Sequence, residues 1–162
     1  MIGQGYDSHR FAAPEAGRPF VLGGIVIPYE RGLDGHSDAD VLTHAVIDAL
    51  LGAAGLGDIG HHFPDTDERW RGADSIALLE HVIGLLAADG LEPVNVDATV
   101  VLQAPKVGPH RDAIRARLAA ALALDPARVN VKATTAESMG PIGRGEGAEA
   151  YAVTLLRPRP RT

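Results

Sequence analysis

Hydrophobic and polar positions recur with two different periods along this chain, and the order of those segments predicts strands separated by helices. Apolar residues at every second position predict strands over 2–11, 94–102, 129–135 and 149–156. Apolar residues at every third or fourth position predict helices over 39–54, 74–89 and from Pro109 to about Asp125. The run Phe20–Ile27 predicts a hairpin that turns at Gly23 and Gly24. This alternation is typical of an α/β fold, and the early hairpin indicates a mixed sheet.

The composition narrows the classes of protein that fit this pattern. The 162 residues carry a formal net charge of −6, which argues against nonspecific nucleic-acid binding because that function uses a basic face. The chain has no cysteine, so disulfides and thiolate zinc sites are excluded. No signal-peptide pattern opens the chain, and no apolar run reaches the length of a membrane span, about 18 residues. We expect a cytoplasmic protein without a membrane or nucleic-acid partner, with one catalytic domain over 1–157 and a C-terminal tail over 158–162.

Asp7, His9 and His44 form the most informative group of polar side chains. Strand side chains alternate between two faces, so Asp7 and His9 point the same way, and a helix packed nearby can bring His44 to them. Carboxylate oxygen and imidazole nitrogen are zinc ligands, and a catalytic zinc site keeps a fourth position open. Asp40 or Asp48 would then orient His44 through its other ring nitrogen. The alternative is three unrelated polar residues, in a turn and on a solvated helix face, and the pattern alone favours neither.

Several other segments suit a phosphorylated, hydroxylated ligand, but each has a plainer explanation. His36 and Ser37 precede a helix N-terminus, which favours anions, although a capping role for Ser37 or Asp38 is the more common case. The loops Asp58–Gly60 and Phe63–Asp67 carry carboxylates that accept hydrogen bonds from hydroxyl groups. Those loops can equally be solvated turns.

Two later segments can likewise be explained either as ligand-binding residues or as ordinary surface residues. Lys106 lies between a predicted strand and a helix, where it can meet a phosphate or simply be an exposed lysine. Thr134, Thr135 and Glu137 stand at a strand end and suit phosphate oxygens and a hard divalent cation such as magnesium. The glycines that follow can instead form only a flexible turn, with Arg144–Glu146 as a surface pair.

Taken together, these segments resemble the 2-C-methyl-D-erythritol 2,4-cyclodiphosphate synthase family of the non-mevalonate isoprenoid pathway. The resemblance extends from the first predicted strand to the last, in the family's order and spacing. The matching segments are Gly5–Phe11, His36–Val41, Gly57–Gly60, Phe63–Asp67, Ala104–Lys106, Asn130–Thr135 and Gly143–Gly147. The length matches single-function members, without the cytidylyltransferase that some relatives carry as a fusion.

The resemblance implies an enzyme that converts 4-diphosphocytidyl-2-C-methyl-D-erythritol 2-phosphate to 2-C-methyl-D-erythritol 2,4-cyclodiphosphate and CMP. It also implies a mixed sheet covered on one side by helices. The expected assembly is a homotrimer whose sheets face the axis and whose active sites lie between neighbouring subunits. By resemblance, zinc is held by Asp7, His9 and His44, and Glu137 binds a second divalent cation, magnesium or manganese.

The remaining implied roles concern the substrate. His36 and Thr135 are expected to be the catalytic residues that stabilise the reacting phosphates. The methylerythritol phosphate part is expected to contact Asp7, Ser8, His9, His36, Ser37, Asp58, Ile59, Gly60, Phe63, Pro64, Asp65, Thr66 and Asp67. The cytidine nucleotide is expected to contact, from the adjoining subunit, Leu102, Gln103, Ala104, Pro105, Lys106, Val107, Gly108, Thr134 and Thr135. The implied substrate-binding set is completed by Ala136, Glu137, Pro141 and Arg144.

Pro141 departs from the family pattern. Relatives often carry an aromatic residue at this position, and in some of them it borders, with Arg144, a cavity on the trimer axis that holds an isoprenoid diphosphate. A proline weakens the case for that ligand more than the case for catalysis.

Two other functions stay open at this point: a noncatalytic trimer that senses nucleotides or isoprenoid diphosphates, and a zinc phosphohydrolase that releases a linear phosphate.

Overall fold

The computed structural model describes residues 1–160. Within this range, strands and helices alternate much as the sequence predicts. The strands are β1 (Ile2–Arg10), β2 (Phe20–Leu22), β3 (Ile25–Ile27), β4 (Leu91–Val101), β5 (Val129–Thr134) and β6 (Gly147–Pro158). The helices are α1 (Val41–Ala54), α2 (Ile59–His62), α3 (Ser75–Ala88), α4 (Arg111–Ala121) and α5 (Gly140–Gly143).

Four of the strands form one mixed sheet in the order β1-β6-β4-β5. β6 pairs antiparallel with both β1 and β4, whereas β4 and β5 are parallel. The predicted hairpin is also confirmed, because β2 and β3 pair antiparallel as a separate two-stranded sheet. Its turn residues Gly23 and Gly24 have φ angles of 57° and 72°. Both lie in the left-handed region that two-residue hairpin turns require and that glycine adopts without strain.

The helices cover one face of the four-stranded sheet, as expected. α1 packs across β1, β6 and β4, α3 packs against α1, and α4 lies over β5. Small and branched apolar side chains fill the space between the layers, among them Val96, Ala98, Val100, Ala150 and Ala152, all buried. The opposite face of the sheet is left exposed, and it carries Ile2, Tyr6, Tyr151, Val153 and Leu155.

Two glycines on β1 set how closely α1 approaches the sheet. A Cβ atom on Gly5 would lie 2.0 Å from the carbonyl oxygen of Ala45, and one on Gly3 would lie 1.9 Å from that of Ala49. Both carbonyls belong to the backbone of α1, so neither can move aside without shifting the helix. The close approach brings the beginning of α1 next to the end of β1.

Element boundaries differ from the prediction where the backbone enters the left-handed region. α1 begins at Val41 rather than Ala39, because Ala39 has a φ of 57° and cannot belong to the helix. Its cap is Asp40, which accepts a hydrogen bond from the Thr43 amide at 3.0 Å, so the expected caps Ser37 and Asp38 are wrong. α4 ends at Ala121, short of the expected Asp125.

The C-terminal strand is longer than predicted. β6 runs to Pro158, which pairs with Leu91, and the Arg159 amide donates to the carbonyl of Gly90 at 2.8 Å. Residues 161 and 162 of the expected tail lie outside the described residues. Over residues 1–160, no helix combines the length and the apolar character needed to cross a bilayer.

Candidate active site

Asp7, His9 and His44 converge where the end of β1 meets the first turn of α1. Asp7 Oδ2 lies 2.9 Å from His9 Nε2 and 3.0 Å from His44 Nδ1, and the two nitrogens are 3.2 Å apart. Asp7 and His9 are opposite Ala150 and Ala148 on β6. These small cross-strand neighbours leave room for the two polar side chains on the helix-facing side of the sheet.

The other ring nitrogen of each histidine contacts a group outside the three residues. His9 Nδ1 lies 2.8 Å from the backbone carbonyl of Asp34. A carbonyl only accepts, so Nδ1 carries a proton, and Nε2 donates to Asp7 when the ring is protonated and is the nitrogen available to a metal when the ring is neutral. His44 Nε2 lies 2.8 Å from Ser75 Oγ and 3.2 Å from Ser37 Oγ, while its Nδ1 faces Asp7.

The donor set fits a zinc ion. Tetrahedral ligand atoms about 2.0–2.1 Å from zinc lie roughly 3.3–3.4 Å from one another, and the three atoms here are separated by 2.9–3.2 Å. One carboxylate and two imidazoles leave a fourth coordination position for another ligand. Asp7, His9 and His44 therefore form a group that can hold a metal ion.

The contacts within this group shift the pKa values of Asp7 and His9. Burial alone would raise the pKa of Asp7, but its hydrogen bonds with His44 and His9 and their charges outweigh burial and lower that pKa well below its usual range. Burial acts to lower the pKa of His9, yet its contacts with Asp7 raise the pKa overall. Positive charge is thus favoured beside the Asp7 carboxylate.

The two aspartates expected to orient His44 have other partners. Asp40 is fully buried and accepts hydrogen bonds from the amides of Gly23 and Gly24 at 2.9 and 2.7 Å. Asp48 Oδ1 accepts from the amide of Ile59 at 2.8 Å, and burial raises its pKa. Neither contacts His44 Nε2, so that expectation is wrong.

A cavity of about 490 Å³ opens next to the three-residue group. Its volume falls within the roughly 300–1,000 Å³ of small-molecule sites. Many of the residues expected to contact the methylerythritol phosphate part line it, together with the expected metal ligand His44 and with three residues given no role in the sequence analysis, Gly35, Trp70 and Leu78. The lining residues from the expected substrate set are Asp7, His9, His36, Ser37, Ile59, Gly60, Phe63, Pro64 and Asp65.

A second cavity, of about 340 Å³, lies at the ends of β4 and β5. It is lined by most of the residues expected to hold the cytidine nucleotide, namely Leu102, Gln103, Pro105, Lys106, Val107, Gly108, Thr134 and Thr135. The Ala104–Pro105 peptide bond in this loop is cis. The two cavities have no lining residue in common within the described part of the chain. Thr135 and His36, the two expected catalytic residues, therefore line different cavities of one chain.

The other expected site residues line neither of these cavities. Asp58 caps α2, and Asp67 forms an ion pair with Arg69 that lowers its pKa. Glu137 is exposed, and its Oε1 accepts a hydrogen bond from Thr135 Oγ1 at 2.9 Å. Ser8 and Pro141 border a smaller cavity of about 220 Å³. The remaining ones outside the two cavities are Thr66, Ala104, Ala136 and Arg144, which pairs with Glu146 at 2.6 Å.

The family of the chain follows from its match to a known sequence model. The model described as the YgbB family matches residues 1–157. The chain belongs to the YgbB family. The match leaves out only the last residues of the chain, and it is consistent with the resemblance found in the sequence motifs.

Relatives within this family agree in sequence and in fold. The 2-C-methyl-D-erythritol 2,4-cyclodiphosphate synthase of Symbiobacterium thermophilum is 59% identical over 159 residues, 98% of this chain and 99% of that protein. A solved 2C-methyl-D-erythritol-2,4-cyclodiphosphate synthase in a CDP-bound form gives a TM-score of 0.87 at 41% identity, covering 97% of this chain and 100% of that one. The bifunctional IspDF from Campylobacter jejuni gives 0.91 at 43% identity, over 97% of this chain but 42% of its own.

Two residues of this YgbB-family chain are connected to His44 by hydrogen bonds that were not predicted from the sequence. Ser75, at the start of α3, contacts His44, and Asp38 in turn accepts a hydrogen bond from the Ser75 hydroxyl. Ser75 lies 31 residues from His44 along the chain, so no periodicity connects them. Only the packing of α3 against α1 brings them together.

Proposed function

We propose that the chain cyclises 4-diphosphocytidyl-2-C-methyl-D-erythritol 2-phosphate to 2-C-methyl-D-erythritol 2,4-cyclodiphosphate and releases CMP, in non-mevalonate isoprenoid precursor synthesis. The observation that carries this proposal is the convergence of Asp7, His9 and His44 beside a cavity of about 490 Å³. Curated relatives with this enzyme's name, such as the one 59% identical to this chain, support the same assignment.

The metal ligands of the proposal are residues of this chain. Asp7, His9 and His44 would hold zinc, and Glu137 would hold a second divalent cation, magnesium or manganese. When bound, such ions polarise phosphate oxygens and neutralise their charge. Glu137 is exposed, which leaves its carboxylate accessible to a cation and to substrate phosphates.

The reaction is an intramolecular phosphoryl transfer. An oxygen of the 2-phosphate attacks the β-phosphorus of the diphosphate, and the bond from that phosphorus to the oxygen of the CMP phosphate breaks. The enzyme needs no side-chain nucleophile, because both reacting groups belong to the substrate. Its task is to hold two anionic groups together, and correct orientation can supply up to about 7–11 kcal/mol of the barrier.

The residues of the chain divide this task between the two cavities. His36 and Ser37 would contact phosphate at the first cavity, with Phe63 and Ile59 packing on the methylerythritol carbon chain. In the second cavity Lys106, Thr134 and Thr135 would hold the cytidine nucleotide and its phosphates. We infer that Thr135 of one copy of the chain and His36 of another act on the same substrate.

We therefore include a homotrimer in the proposal, with each active site shared by neighbouring subunits. The separate cavities support this assembly, and so does the exposed apolar face of the sheet. A cytoplasmic location stays a prediction from the sequence. We do not propose an isoprenoid diphosphate as a ligand, because Pro141 stands where an aromatic residue would border that cavity.

One assay separates this function from its two rivals. The purified protein is incubated with the cytidyl substrate, zinc and magnesium, and the products are identified by phosphorus NMR. The proposal predicts CMP and the cyclic diphosphate, whereas a phosphohydrolase would release a linear phosphate and a sensor would leave the substrate intact.

His44→Ala provides the matched test of the metal centre. We expect it to lose bound zinc and cyclising activity while it keeps its fold by circular dichroism. His81→Ala serves as the control, because His81 is exposed on α3 and lines neither cavity. Full activity of His44→Ala in a preparation without zinc would rule out the assigned site.

A further inference from the structure

We propose that Asp38 and Ser75 are positioning residues that hold His44 in the ring orientation needed for metal binding. This inference rests on the proposed function, because it concerns the same metal centre. The chain of contacts runs from His44 Nε2 to Ser75 Oγ at 2.8 Å, and from the Ser75 hydroxyl to Asp38 Oδ1. Ser75 is fully buried and His44 nearly so, so water does not compete for these groups.

The direction of the hydrogen bonds follows from the last member of the chain. A carboxylate only accepts, so the proton between Ser75 and Asp38 comes from the Ser75 hydroxyl. Ser75 Oγ is then free to accept from His44, which assigns the proton to His44 Nε2. In a neutral His44 ring Nδ1 then carries no proton, so the nitrogen that faces Asp7 and His9 is the one with an electron pair for a metal.

The carboxylate of Asp38 is itself held in place. Its Oδ2 accepts from the backbone amide of Ser75 at 3.0 Å, and its Oδ1 also accepts from the amide of Asp40 at 3.2 Å. Both oxygens are therefore engaged with donors around the starts of α1 and α3. This arrangement connects the beginning of α3 to a ligand carried by α1.

Other groups near His44 do not explain its orientation as well. Ser37 Oγ lies 3.2 Å from His44 Nε2, a longer contact than that of Ser75, and it already accepts from the amide of Ala39. Asp40 is engaged by the Gly23 and Gly24 amides, and Asp48 by α2. Hydrogen-bond partners of metal-bound histidines generally change metal affinity by about 10–100-fold when they are removed.

Asp38→Asn is the most direct variant, because it keeps the shape of the side chain. An asparagine offers one oxygen and one NH₂ group in place of two acceptors. At least one of the groups that donate to Asp38 must then face the NH₂ group of the asparagine. If that group is the Ser75 hydroxyl, the hydroxyl turns its proton toward His44. We expect the dissociation constant for zinc, measured by competition with a chromophoric chelator, to rise about 10–100-fold.

Asp74→Asn is the matched control. Asp74 caps the same helix and accepts from the Ile76 amide at 2.9 Å, and the structure gives its side chain no hydrogen bond to His44 or Ser75. The substitution removes the same charge from the same helix end, so it reproduces any effect on α3 alone. We expect the zinc affinity of Asp74→Asn to equal that of the wild type.

Ser75→Ala provides a second test in case Asp38→Asn fails to fold. It removes the acceptor for His44 Nε2–H and leaves a cavity the size of one hydroxyl group. In the zinc-loaded protein labelled with ¹⁵N-histidine, the Nε2–H proton of His44 should exchange slowly with solvent. In Ser75→Ala that exchange should be faster and zinc affinity should fall, neither of which a purely structural role for Ser75 predicts.

The outcomes separate this inference from the proposed function. If the wild type binds zinc and both variants bind it equally tightly, Asp38 and Ser75 only brace the start of α3, and the inference fails while the metal centre stands. If the wild type binds no zinc, the metal centre and the inference fail together. Weaker binding in Asp38→Asn or Ser75→Ala, with Asp74→Asn unchanged, supports the positioning role.

Discussion

His9 links proton binding to metal binding in the candidate centre. Its Nε2 faces Asp7 at 2.9 Å, and the carboxylate raises the pKa of the ring above its usual value although burial opposes the rise. The same nitrogen is a proposed zinc ligand, and a protonated nitrogen cannot coordinate a metal. Zinc and a proton therefore compete for one atom.

The raised pKa of His9 predicts a pH dependence of zinc affinity. Below that pKa the ring is protonated, so zinc must displace a proton, and this cost disappears as the pH rises through it. Because the shift is upward from the ordinary histidine pKa of about 6.5, affinity should still increase over the range from about pH 7 to 8, where a free imidazole is already mostly neutral. Chelator competition at several pH values measures this. A plateau already reached at about pH 7 would contradict the raised pKa.

At the level of single residues, the sequence could predict one half of the centre better than the other. The period of a strand is enough to place Asp7 and His9 on one face. The contacts around His44 depend on α3 and on the β2–β3 turn, which draws Asp40 away from the histidine. Helical spacing made Asp40 and Asp48 reasonable candidates, but spacing within one helix cannot reveal a partner on another.

At the level of elements, the approach of α1 to β1 decides whether the centre can form. β1 supplies Asp7 and His9, and α1 supplies His44. The backbone of α1 packs directly against Gly3 and Gly5 of β1. The short distance between α1 and β1 therefore depends on these two residues having no side chain. Strand alternation puts Gly3 and Gly5 on the same face as Asp7 and His9, but it does not show that the backbone of a helix packs against them.

Gly5→Ala should disturb this packing. Its Cβ would lie 2.0 Å from the Ala45 carbonyl oxygen and 2.6 Å from the Ala49 amide nitrogen, so α1 must move outward. We expect a loss of about 1–3 kcal/mol in the free energy of unfolding, as for other overpacked cores. Zinc affinity should fall as well, because the shift carries His44 away from β1. Urea denaturation and chelator competition measure the two effects.

Gly52→Ala is the control for that substitution. Gly52 lies on the exposed side of α1, and the nearest atom to an added Cβ is 3.9 Å away. Alanine there should raise the free energy of unfolding by about 0.5–1 kcal/mol, because glycine is unfavourable within a helix. If both variants change stability in the same direction, the close approach at Gly5 is not what limits the packing of α1.

For the molecule as a whole, the sheet has one face covered by helices and one face open. The open face carries a cluster of apolar side chains that are neighbours across β1 and β6: Ile2 opposite Leu155 and Tyr6 opposite Tyr151. The rings of Tyr6 and Tyr151 are 5.0 Å apart. Exposed apolar clusters of this kind often mark protein interfaces. The sequence alternation predicted two faces of the strands, the family resemblance implied that helices cover only one of them, and the fold shows which apolar side chains stand on the uncovered face of the described chain.

Val153→Asp should therefore break the proposed homotrimer. Val153 lies on the open face of β6 with 46% of its surface exposed, so an aspartate is tolerated in a single chain but would be buried as an unpaired charge in an assembly of sheets. We expect the wild type to have the mass of a trimer by light scattering and Val153→Asp to have that of a monomer. Cyclising activity should be lost with the trimer, because Thr135 and His36 line separate cavities of one chain.

Val26→Asp makes the same substitution on the separate β2–β3 hairpin, where the valine is 62% exposed. It adds the same charge to the molecule but not to the open face of the sheet, so the trimer and its activity should persist. A loss of the trimer in both variants would mean that charge in general, and not the open face, controls assembly. A monomeric wild type with full activity would contradict a shared site altogether, since one chain would then bring Thr135 and His36 to the same substrate.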